Sequence, residues 1–252
     1  MRSKLISIAR SVQNNSQYGF TADMSYLLAA LQRNEAEKFC FDQKRTFFCC
    51  SLDGESAFEL VNRTIQLREL HCAGEDGSYW LASKHSYNNT TTQVKMNNNL
   101  SRDISETTGV KQGNIKSSEH YKIYLNPLLD TIDNSQLGVW IGPINVAQSA
   151  CADDELLITD DQTKLQTLLD IAEHYARLYQ GKYGASKTKI TVIGSEIDRN
   201  YFHELSPWHI DGQTVTVSND NEHLGQIISA KDQEQKMLTF VSLKQEIAYL
   251  AC

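Results

Sequence analysis

The sequence predicts a fold of the α+β class, and three observations support this prediction. Two stretches, 24–38 and 162–180, repeat apolar residues at intervals of three and four, which is the period of an amphipathic helix. Short apolar runs of strand length lie between and after these stretches. The helices and strands do not follow the strict alternation of a doubly wound sheet, so a mixed α+β arrangement is favoured.

The first helix and the first strand are predicted near the start of the chain. The apolar spacing predicts a helix over 24–38, and Thr21 or Asp23 is expected to cap its N-terminus. The run 46–52 is apolar and stops at Asp53, which predicts a buried strand. A second helix is expected to begin at Ser56. The residues on its buried side would be Phe58, Val61, Ile65 and Leu70.

The middle of the chain changes from a polar segment to a helix and two strands. Residues 88–99 are rich in Asn and Thr, and we expect a β-hairpin or a loop there. A helix is predicted over 117–130 because its apolar residues again follow the helical period. Two apolar runs, 137–141 and 144–152, predict strands.

The last third contains the most regular helix of the sequence. Residues 162–180 carry a single apolar stripe, and Gly181 is expected to end the helix. A strand is predicted over 189–194. Further short strands are predicted around 215–217 and 224–228.

Composition restricts the classes of protein that this chain can represent. Its 252 residues, 40% of them hydrophobic, suffice for one or two domains with a buried core. The net charge of −7 disfavours a protein that coats nucleic acid through excess Lys and Arg. No apolar run approaches ~18 residues, so we expect no membrane partner. The start of the chain lacks signal-peptide features, and we expect an intracellular, non-secreted protein, in the nucleus or the cytoplasm.

The six cysteines show no metal-binding pattern. They include neither a CxxC pair nor a set of cysteines and histidines with zinc-ligand spacing. We therefore expect reduced, structural thiols. Cys49 and Cys50 are neighbours within a predicted strand, so their side chains should point to opposite faces of a sheet.

Acidic side chains end two of the predicted strands abruptly. Asp53 follows the 46–52 run, and Asp153-Asp154 lie between two apolar runs. An isolated Asp-Asp pair is typical of a hairpin turn. The alternative is a Mg²⁺ site, because Mg²⁺ prefers hard carboxylate oxygens shared with substrate phosphates. Two-metal phosphoryl transfer needs carboxylates that bridge ions about 3.5–4 Å apart, and acids from two strands are suited to this.

Four further short motifs accompany these acids. Gly109-Val110-Lys111-Gln112-Gly113 precedes the 117–130 helix, and such glycines form a plain turn or let the backbone approach a ligand closely. Ser186-Lys187-Thr188-Lys189 follows the long helix, and His223-Leu224-Gly225 lies near the end. Gln17-Tyr18-Gly19-Phe20-Thr21 lies near the start.

Taken in their order along the chain, these motifs resemble those of the reverse transcriptase domain of LINE-type (non-LTR) retrotransposons. The Gln17 motif resembles that family's Gln-x-Gly-Phe segment in the fingers, and 51–59 resembles its first palm motif. The resemblance covers about residues 17–228. It implies a polymerase palm, in which helices pack on one face of a small antiparallel sheet, with partial fingers and only the start of a thumb.

The same resemblance implies a division of the chain into parts. Residues 1–47 correspond to partial fingers, and 48–222 correspond to the palm with an interleaved fingers segment at about 62–108. Residues 223–252 correspond to the start of a thumb. Relative to the family, we expect a chain truncated in the fingers and in the thumb.

The resemblance also implies roles for individual residues. Asp53, Asp153 and Asp154 would hold two Mg²⁺ ions, with Mn²⁺ as an alternative, to activate a primer 3′-hydroxyl and neutralise a triphosphate. The expected partners are an RNA template, a DNA primer and a dNTP. The substrate-contacting positions are Phe58 beneath the sugar, Gln112 and Gly113 along the nucleotide and template path, Lys187 or Lys189 near the triphosphate, and Leu224 and Gly225 at the primer grip.

Three functions stay open at this point. The first is an RNA-directed DNA polymerase domain, and the second is a catalytically dead or repurposed fragment that retains the palm fold. A Mg²⁺-dependent phosphodiesterase using the same three acids is the third and less favoured. The sequence departs from the family pattern at Cys151, where a Tyr or Phe usually precedes Ala-Asp-Asp, and we expect metal binding to survive and nucleotide or primer packing to loosen. An oligomeric state does not follow from the sequence.

Overall fold

The computed structural model describes residues 2–88, 90–110, 116–224 and 226–230. In this part of the chain the helices are α1 (Arg2–Val12), α2 (Tyr26–Asp42), α3 (Arg63–Cys72), α4 (Gly77–Tyr87), α5 (Ser117–Ser135), α6 (Gln162–Tyr179) and α7 (Glu196–Glu204). The first nine strands are β1 (Phe47–Asp53), β2 (Thr91–Thr92), β3 (Lys95–Met96), β4 (Asn99–Leu100), β5 (Ile104–Ser105), β6 (Val139–Ile141), β7 (Ile144–Val146), β8 (Gln148–Cys151) and β9 (Asp154–Thr159). The remaining strands are β10 (Lys189–Ile193), β11 (His209–Ile210), β12 (Gln213–Thr214), β13 (Thr216–Val217), β14 (Asp220–His223) and β15 (Gln226–Ser229).

A five-stranded sheet forms the centre of the molecule. Its strand order is β13-β10-β1-β9-β8, and every pair is antiparallel except β10 with the short β13. The strands predicted at 46–52 and 189–194 are β1 and β10, and the apolar run that follows Asp153-Asp154 forms β9; these are the three central strands. These strands read as continuous apolar runs because both faces of the sheet are covered.

The alternation of side chains along β1 divides the interior into two cores. Phe48, Cys50 and Leu52 point into the larger core, where α5 and α6 contribute a row of fully buried leucines. Phe47 and Cys49 point into the second core. The predicted α+β arrangement with helices packed against an antiparallel sheet is thereby confirmed. The second face is additionally covered by α2, the β6–β7 hairpin and β15 through Ala36, Cys40, Val139, Val146 and Ile228.

Two helix starts differ from the sequence prediction because of local capping. The helix expected from Ser56 begins only at Arg63. Ser56 has a positive φ of 48°, and Asn62 Oδ1 accepts hydrogen bonds from the backbone N–H of Thr64 and Ile65. Helix α2 is capped by Ser25 rather than by Thr21 or Asp23.

The end of α6 and three other helices also differ from expectation. The left-handed residue that ends α6 is Gln180, with φ 58°, instead of Gly181. Helices α1, α4 and α7 were not predicted. Within α4 the apolar residues do not follow the helical period, so nothing in the sequence reveals this helix. Helix α7 is amphipathic but only nine residues long, and Phe202 is its one buried residue. In and just after the polar 88–99 segment, β3 pairs with β4 as a hairpin and β2 pairs with β5, both antiparallel, in agreement with the expected hairpin.

The cysteines behave as structural thiols throughout the described residues. Cys40, Cys49, Cys50 and Cys151 are buried, Cys72 is exposed, and none of these five described cysteines forms a disulfide. Cys49 and Cys50 point into different cores, as predicted. No described helix combines the length and the apolar character that crossing a membrane requires. The domain boundaries after 47 and 222 stay predictions.

His120 makes the stability of this fold sensitive to acid. It lies on α5, is 2% exposed, and its Nδ1 lies 2.6 Å from Tyr87 Oη. Burial, aided by the charge of Lys116, lowers the pKa of His120 to about 3. Between pH 6.5 and 3 the unfolded chain therefore binds a proton that the folded chain does not, and stability falls as the pH falls.

We expect the variant His120→Asn to lose less stability on acidification than the parent. For one buried neutral histidine the linkage amounts to about 2 kcal/mol between pH 7 and pH 5. Urea unfolding at a series of pH values measures the difference in slope. The exposed His174 on α6 provides the matched control, since His174→Asn should keep the parent slope. Equal slopes for the parent and His120→Asn would contradict the assignment.

Candidate active site

The pairing of β1 with β9 brings the predicted acids to one edge of the sheet. In this register Phe48 lies opposite Thr159 and Asp53 lies opposite Asp154. Directly opposed residues on neighbouring antiparallel strands have Cβ atoms about 4.5–5.5 Å apart. The structure thus brings Asp53 and Asp154, which are 101 positions apart in the sequence (154 − 53), together as a cross-strand pair.

A two-residue turn carries the third acid. Strands β8 and β9 form a hairpin in which Cys151 pairs with Asp154, so Ala152 and Asp153 form the turn. Ala152 adopts a positive φ of 59°, which tight hairpin turns require at a central residue. Asp153 and Asp154 are exposed, whereas Cys151 and Ala152 are buried beneath them.

The carboxylates oppose one another electrostatically. Burial, followed by the negative charges of Asp153 and Asp53, raises the pKa of Asp154. Asp53 Oδ2 is buried and accepts no hydrogen bond from any residue that the structure describes. Its counter-charge is Lys187, whose Nζ lies 3.4 Å from Asp53 Oδ2. The edge of the sheet therefore carries concentrated negative charge with little internal compensation.

These residues fit a hard divalent cation in their chemistry. Carboxylate oxygens are the ligands that Mg²⁺ prefers, and a buried oxygen without a donor is available to it. Within the described ranges, no three His, Cys, Asp or Glu side chains are arranged as a ready-made metal site. The structure therefore pairs Asp53 with Asp154 through the backbone, and the ligand set of Asp53, Asp153 and Asp154 stays a prediction.

The segment after α6 places Lys187 beside the acids. Gly184 N–H donates to the carbonyl of Asp53 at 3.0 Å, and Glu55 N–H donates to the carbonyl of Lys182 at 2.9 Å. Lys187 is exposed and reaches back to Asp53. Lys189 is also exposed, but it opens β10 opposite Ser51. Of the two lysines that the sequence left as alternatives, Lys187 is the one in contact with a predicted site acid.

Phe58 lies in the turn that follows β1, stacked on an aromatic ring of α5. Its ring centroid is 4.3 Å from that of Tyr121, with an interplanar angle of 20°. Val110 N–H donates to the carbonyl of Phe58 at 2.9 Å, which joins the Gly109-Val110 segment to this turn. A Cβ at Gly109 would lie 2.8 Å from the carbonyl oxygen of Glu59, so this approach requires glycine. Gln112 and Gly113 lie outside the described residues.

The predicted primer grip is a hairpin joined to β1. Strands β14 and β15 pair antiparallel, and Leu224 has a φ of 53° in the turn between them. Asn221 Nδ2 donates to Ser51 Oγ at 2.8 Å, two residues before Asp53. Burial, together with the charge of Arg33, lowers the pKa of His223 to about 4. Gly225 lies outside the described residues, and the primer-grip role stays a prediction.

Sequence reasoning missed a buried acid next to the Asp pair. Glu155 is 5% exposed, and Tyr183 Oη donates to its two carboxylate oxygens at 3.0 and 3.1 Å. Burial raises the pKa of Glu155 to about 8. Tyr121 and Tyr175 line a cavity of about 50 Å³ beside this pair. The signal available in the sequence was an acid within an otherwise apolar strand, directly after Asp154.

One family model and two curated proteins match this chain. The model of the family described as "Reverse transcriptase (RNA-dependent DNA polymerase)" matches residues 3–249. The "Retrovirus-related Pol polyprotein from type-1 retrotransposable element R2" of Popillia japonica is 29% identical over 157 residues, which are 61% of this chain and 22% of that protein. The "Transposon TX1 uncharacterized 149 kDa protein" of Xenopus laevis is 26% identical over 147 residues, 58% of this chain and 11% of that protein.

Solved structures with a similar fold include telomerases. Apo telomerase from Candida tropicalis, truncated from its C-terminal domain, gives a TM-score of 0.63 at 14% identity, covering 91% of this chain and 43% of that chain. Telomerase from the same organism in complex with the TWJ fragment of telomeric RNA gives a TM-score of 0.65 at 13% identity, covering 93% and 37%. These likenesses show the fold. The chain spans about a fifth and a tenth of the lengths of the two curated relatives.

We expect Asp154→Asn to remove stabilisation by divalent cations. A ligand at about 100 times its Kd stabilises a protein by about 2.7 kcal/mol, so MnCl₂ should raise the Tm of the parent by several degrees. The variant should gain less than half of this increase. Without the cation its Tm should exceed that of the parent, because one of the opposed charges is gone. Differential scanning calorimetry with and without MnCl₂ measures both effects.

The exposed Asp170 on α6 supplies the control for this experiment. Asp170→Asn removes the same charge away from the sheet edge and should keep the full response to Mn²⁺. An Asp154→Asn variant that gains as many degrees as the parent would show that the cation binds elsewhere.

Proposed function

This chain belongs to the reverse transcriptase (RNA-dependent DNA polymerase) family, and from this premise we propose that it adds nucleotides to a primer 3′ end along an RNA template. The family match over nearly the whole chain and the retrotransposon relatives confirm the resemblance to a LINE-type domain. One observation supports the chemistry above all others. The β1–β9 register opposes Asp53 and Asp154 at a sheet edge, with Asp153 in the adjoining turn.

The three carboxylates would hold two divalent cations. Mg²⁺, with Mn²⁺ as an alternative, supplies activation of a 3′-hydroxyl and neutralisation of triphosphate charge when it is bound. Asp53 and Asp154 would face the cations from two different strands, and Asp153 would do so from the turn. Burial, followed by the negative charges of Asp153 and Asp53, raises the pKa of Asp154, and the repulsion among these groups is relieved when positive charge enters between them.

Lys187 would exchange its partner when a nucleotide binds. In the structure its Nζ lies 3.4 Å from Asp53, and both side chains are partly exposed, so this ion pair is weak. A triphosphate carries more negative charge than one carboxylate, and an ammonium is a suitable point charge for phosphate. We therefore assign the triphosphate contact to Lys187, with Lys189 as the alternative.

The remaining assignments concern the sugar, the template and the primer. Phe58 is held against Tyr121 and would lie beneath the nucleotide sugar, where its ring leaves no room for a 2′-hydroxyl. Gln112 and Gly113 would line the nucleotide and template path, and Leu224 and Gly225 would contact the primer. These assignments follow from the family resemblance. Two observations support them: Phe58 lies in the turn after β1, and the hairpin that contains Leu224 is hydrogen-bonded to β1 through Asn221 and Ser51.

Primer extension tests the proposed activity directly. We expect the chain, given a DNA primer on an RNA template with Mg²⁺ and dNTPs, to extend the primer. The double variant Asp153→Ala/Asp154→Ala should lose extension by at least about a hundredfold, since it removes carboxylates that would hold the cations at the reacting phosphates. Asp170→Ala should keep the parent rate. Gel electrophoresis of a labelled primer measures all three.

The two other functions give different results in the same assay. A folded parent whose Tm rises with Mn²⁺ but which does not extend the primer would favour a repurposed fragment that keeps the palm. Cleavage of nucleic acid without template dependence, lost in the double variant, would favour a phosphodiesterase. Extension by the double variant at the parent rate would contradict the assignment of the acids.

We expect Phe58→Ala to weaken discrimination against ribonucleotides. Removing the ring opens space beneath the sugar for a 2′-hydroxyl. Discrimination against one small substituent in a packed pocket is typically worth about 1–3 kcal/mol, or about 10-fold to 200-fold in selectivity. The ratio of kcat/KM for a dNTP to that for the matching rNTP measures the effect. Phe41→Ala is the control. This exposed phenylalanine lies at the end of α2, near the start of β1, whereas Asp53 lies at the other end of that strand. An unchanged ratio would contradict the role of Phe58.

A further inference from the structure

A buried glutamine connects the N-terminal segment to the turn that carries the Asp pair. Gln17 is fully buried, and its Oε1 accepts hydrogen bonds from two backbone N–H groups, Gly19 at 2.8 Å and Ala152 at 3.0 Å. Ala152 is the left-handed residue of the β8–β9 turn, directly before Asp153. One side-chain oxygen therefore holds the backbone of both segments.

The backbone around Gln17 extends the central sheet. Tyr18 N–H donates to the carbonyl of Ala150 at 2.7 Å, and Ala150 N–H donates to the carbonyl of Ser16 at 2.8 Å. Gln17 and Ala150 form a parallel bridge. The segment thus lies along the outer edge of β8 and covers a strand that otherwise has one open side.

Gly19 lets this segment approach the turn without a gap. A Cβ at Gly19 would lie 2.6 Å from Ala152 N and 2.9 Å from the carbonyl carbon of Cys151. Both atoms belong to the backbone, so neither can move without moving the turn. The Gln-x-Gly pattern at 17–19 consequently has a physical meaning in this fold, namely one acceptor and one close approach on the same turn.

The other side of the segment is anchored to α5. Asn14 Nδ2 donates to Asp130 Oδ1 at 2.8 Å and to Asp133 Oδ2 at 2.9 Å, and Ser16 Oγ donates to Asp133 at 3.2 Å. Gln148 Nε2, on β8, donates to Asp133 Oδ1 at 2.8 Å. The segment that holds the turn is therefore itself fixed to a long helix of the core.

We propose that Gln17 is a positioning residue for the catalytic turn, and that it fixes Asp153 and Asp154 by holding the Ala152 N–H. This inference rests on the proposed function of that turn. Gln17 touches none of the three acids, so it acts through the backbone of Ala152. Residues that orient metal ligands typically change metal affinity or activity by 10-fold to 100-fold when they are lost.

The test compares two glutamines of the same segment. Gln17→Met keeps approximately the volume and removes the acceptor. Gln13→Met is the matched control, because Gln13 Nε2 donates to the carbonyl of Gln17 and to Thr21 Oγ1 and makes no hydrogen bond to the turn. We expect Gln17→Met to weaken Mn²⁺ binding, measured by electron paramagnetic resonance, about tenfold relative to Gln13→Met. We expect it to lower kcat more than it raises KM for the dNTP.

A structural readout separates this inference from the proposed function. Hydrogen exchange of the Ala152 amide, followed by NMR, should be at least about fivefold faster in Gln17→Met than in Gln13→Met. If exchange is faster while the parent neither binds Mn²⁺ nor extends a primer, then the proposed function fails, and Gln17 holds the turn without a catalytic purpose. Equal exchange rates in the two variants would overturn the inference.

A second variant keeps the test decisive if Gln17→Met does not fold. Gly19→Ala introduces a single methyl group that must displace the turn, and we expect the same loss of Mn²⁺ affinity. Gly181→Ala is its control, because a Cβ there would meet only the carbonyl oxygen of Ala176 at an ordinary 3.9 Å. Mn²⁺ affinity in Gly19→Ala equal to that in Gly181→Ala would also overturn the inference.

Discussion

The register between β1 and β9 is the constraint on which both the core and the site depend. Six consecutive cross-strand pairs, from Phe48 opposite Thr159 to Asp53 opposite Asp154, define it. A slip of one residue would exchange the two faces of β9, since side chains alternate along a strand. Leu157 would then leave the larger core, and Asp154 would no longer face Asp53. Packing of apolar side chains therefore fixes the acids at the sheet edge, and the acids themselves contribute no attraction to this arrangement.

The electrostatics of the site oppose the packing that produces it. Asp53 and Asp154 lie opposite each other where β1 ends and β9 begins, Asp153 lies in the adjoining turn, and Lys187 is a weak, exposed counter-charge. Burial, together with the charges of Asp153 and Asp53, raises the pKa of Asp154. One residue further into the sheet the conflict is resolved differently. Burial raises the pKa of Glu155 to about 8, so at neutral pH it is mostly the uncharged acid, and Tyr183 hydrogen-bonds to it. The charged acids thus lie at the exposed edge, and the buried one is neutral.

Local patterns predicted the parts of this structure that local physics determines. Apolar runs located β1, β9 and β10, and the helical period located α5 and α6, because those elements bury one face or both. Asp53 and Asp154 were recognised in the sequence because each interrupts an apolar run of strand length. The predicted start of α3 at Ser56 was wrong, because Asn62 caps this helix and the helix begins at Arg63. The hydrogen bond from Ala152 to Gln17 joins residues 135 positions apart. A pattern of apolar residues within a short stretch of sequence carries no information about such a distant contact. Gln112, Gly113 and Gly225 lie outside the described residues, so their assignments depend on the family resemblance alone.

The segment at 16–19 solves two physical problems with the same atoms. A sheet whose last strand is β8 exposes unpaired backbone groups, which favour unwanted pairing with other chains. Hydrogen bonds of Ser16 and Tyr18 to Ala150 cover part of this edge. The two-residue turn that follows β8 contains a non-glycine residue with positive φ, a conformation that persists only when its surroundings determine it. Gln17 and Gly19 provide those surroundings. Protection of the edge and definition of the turn are therefore coupled, and a change that loosens the first should also loosen the second.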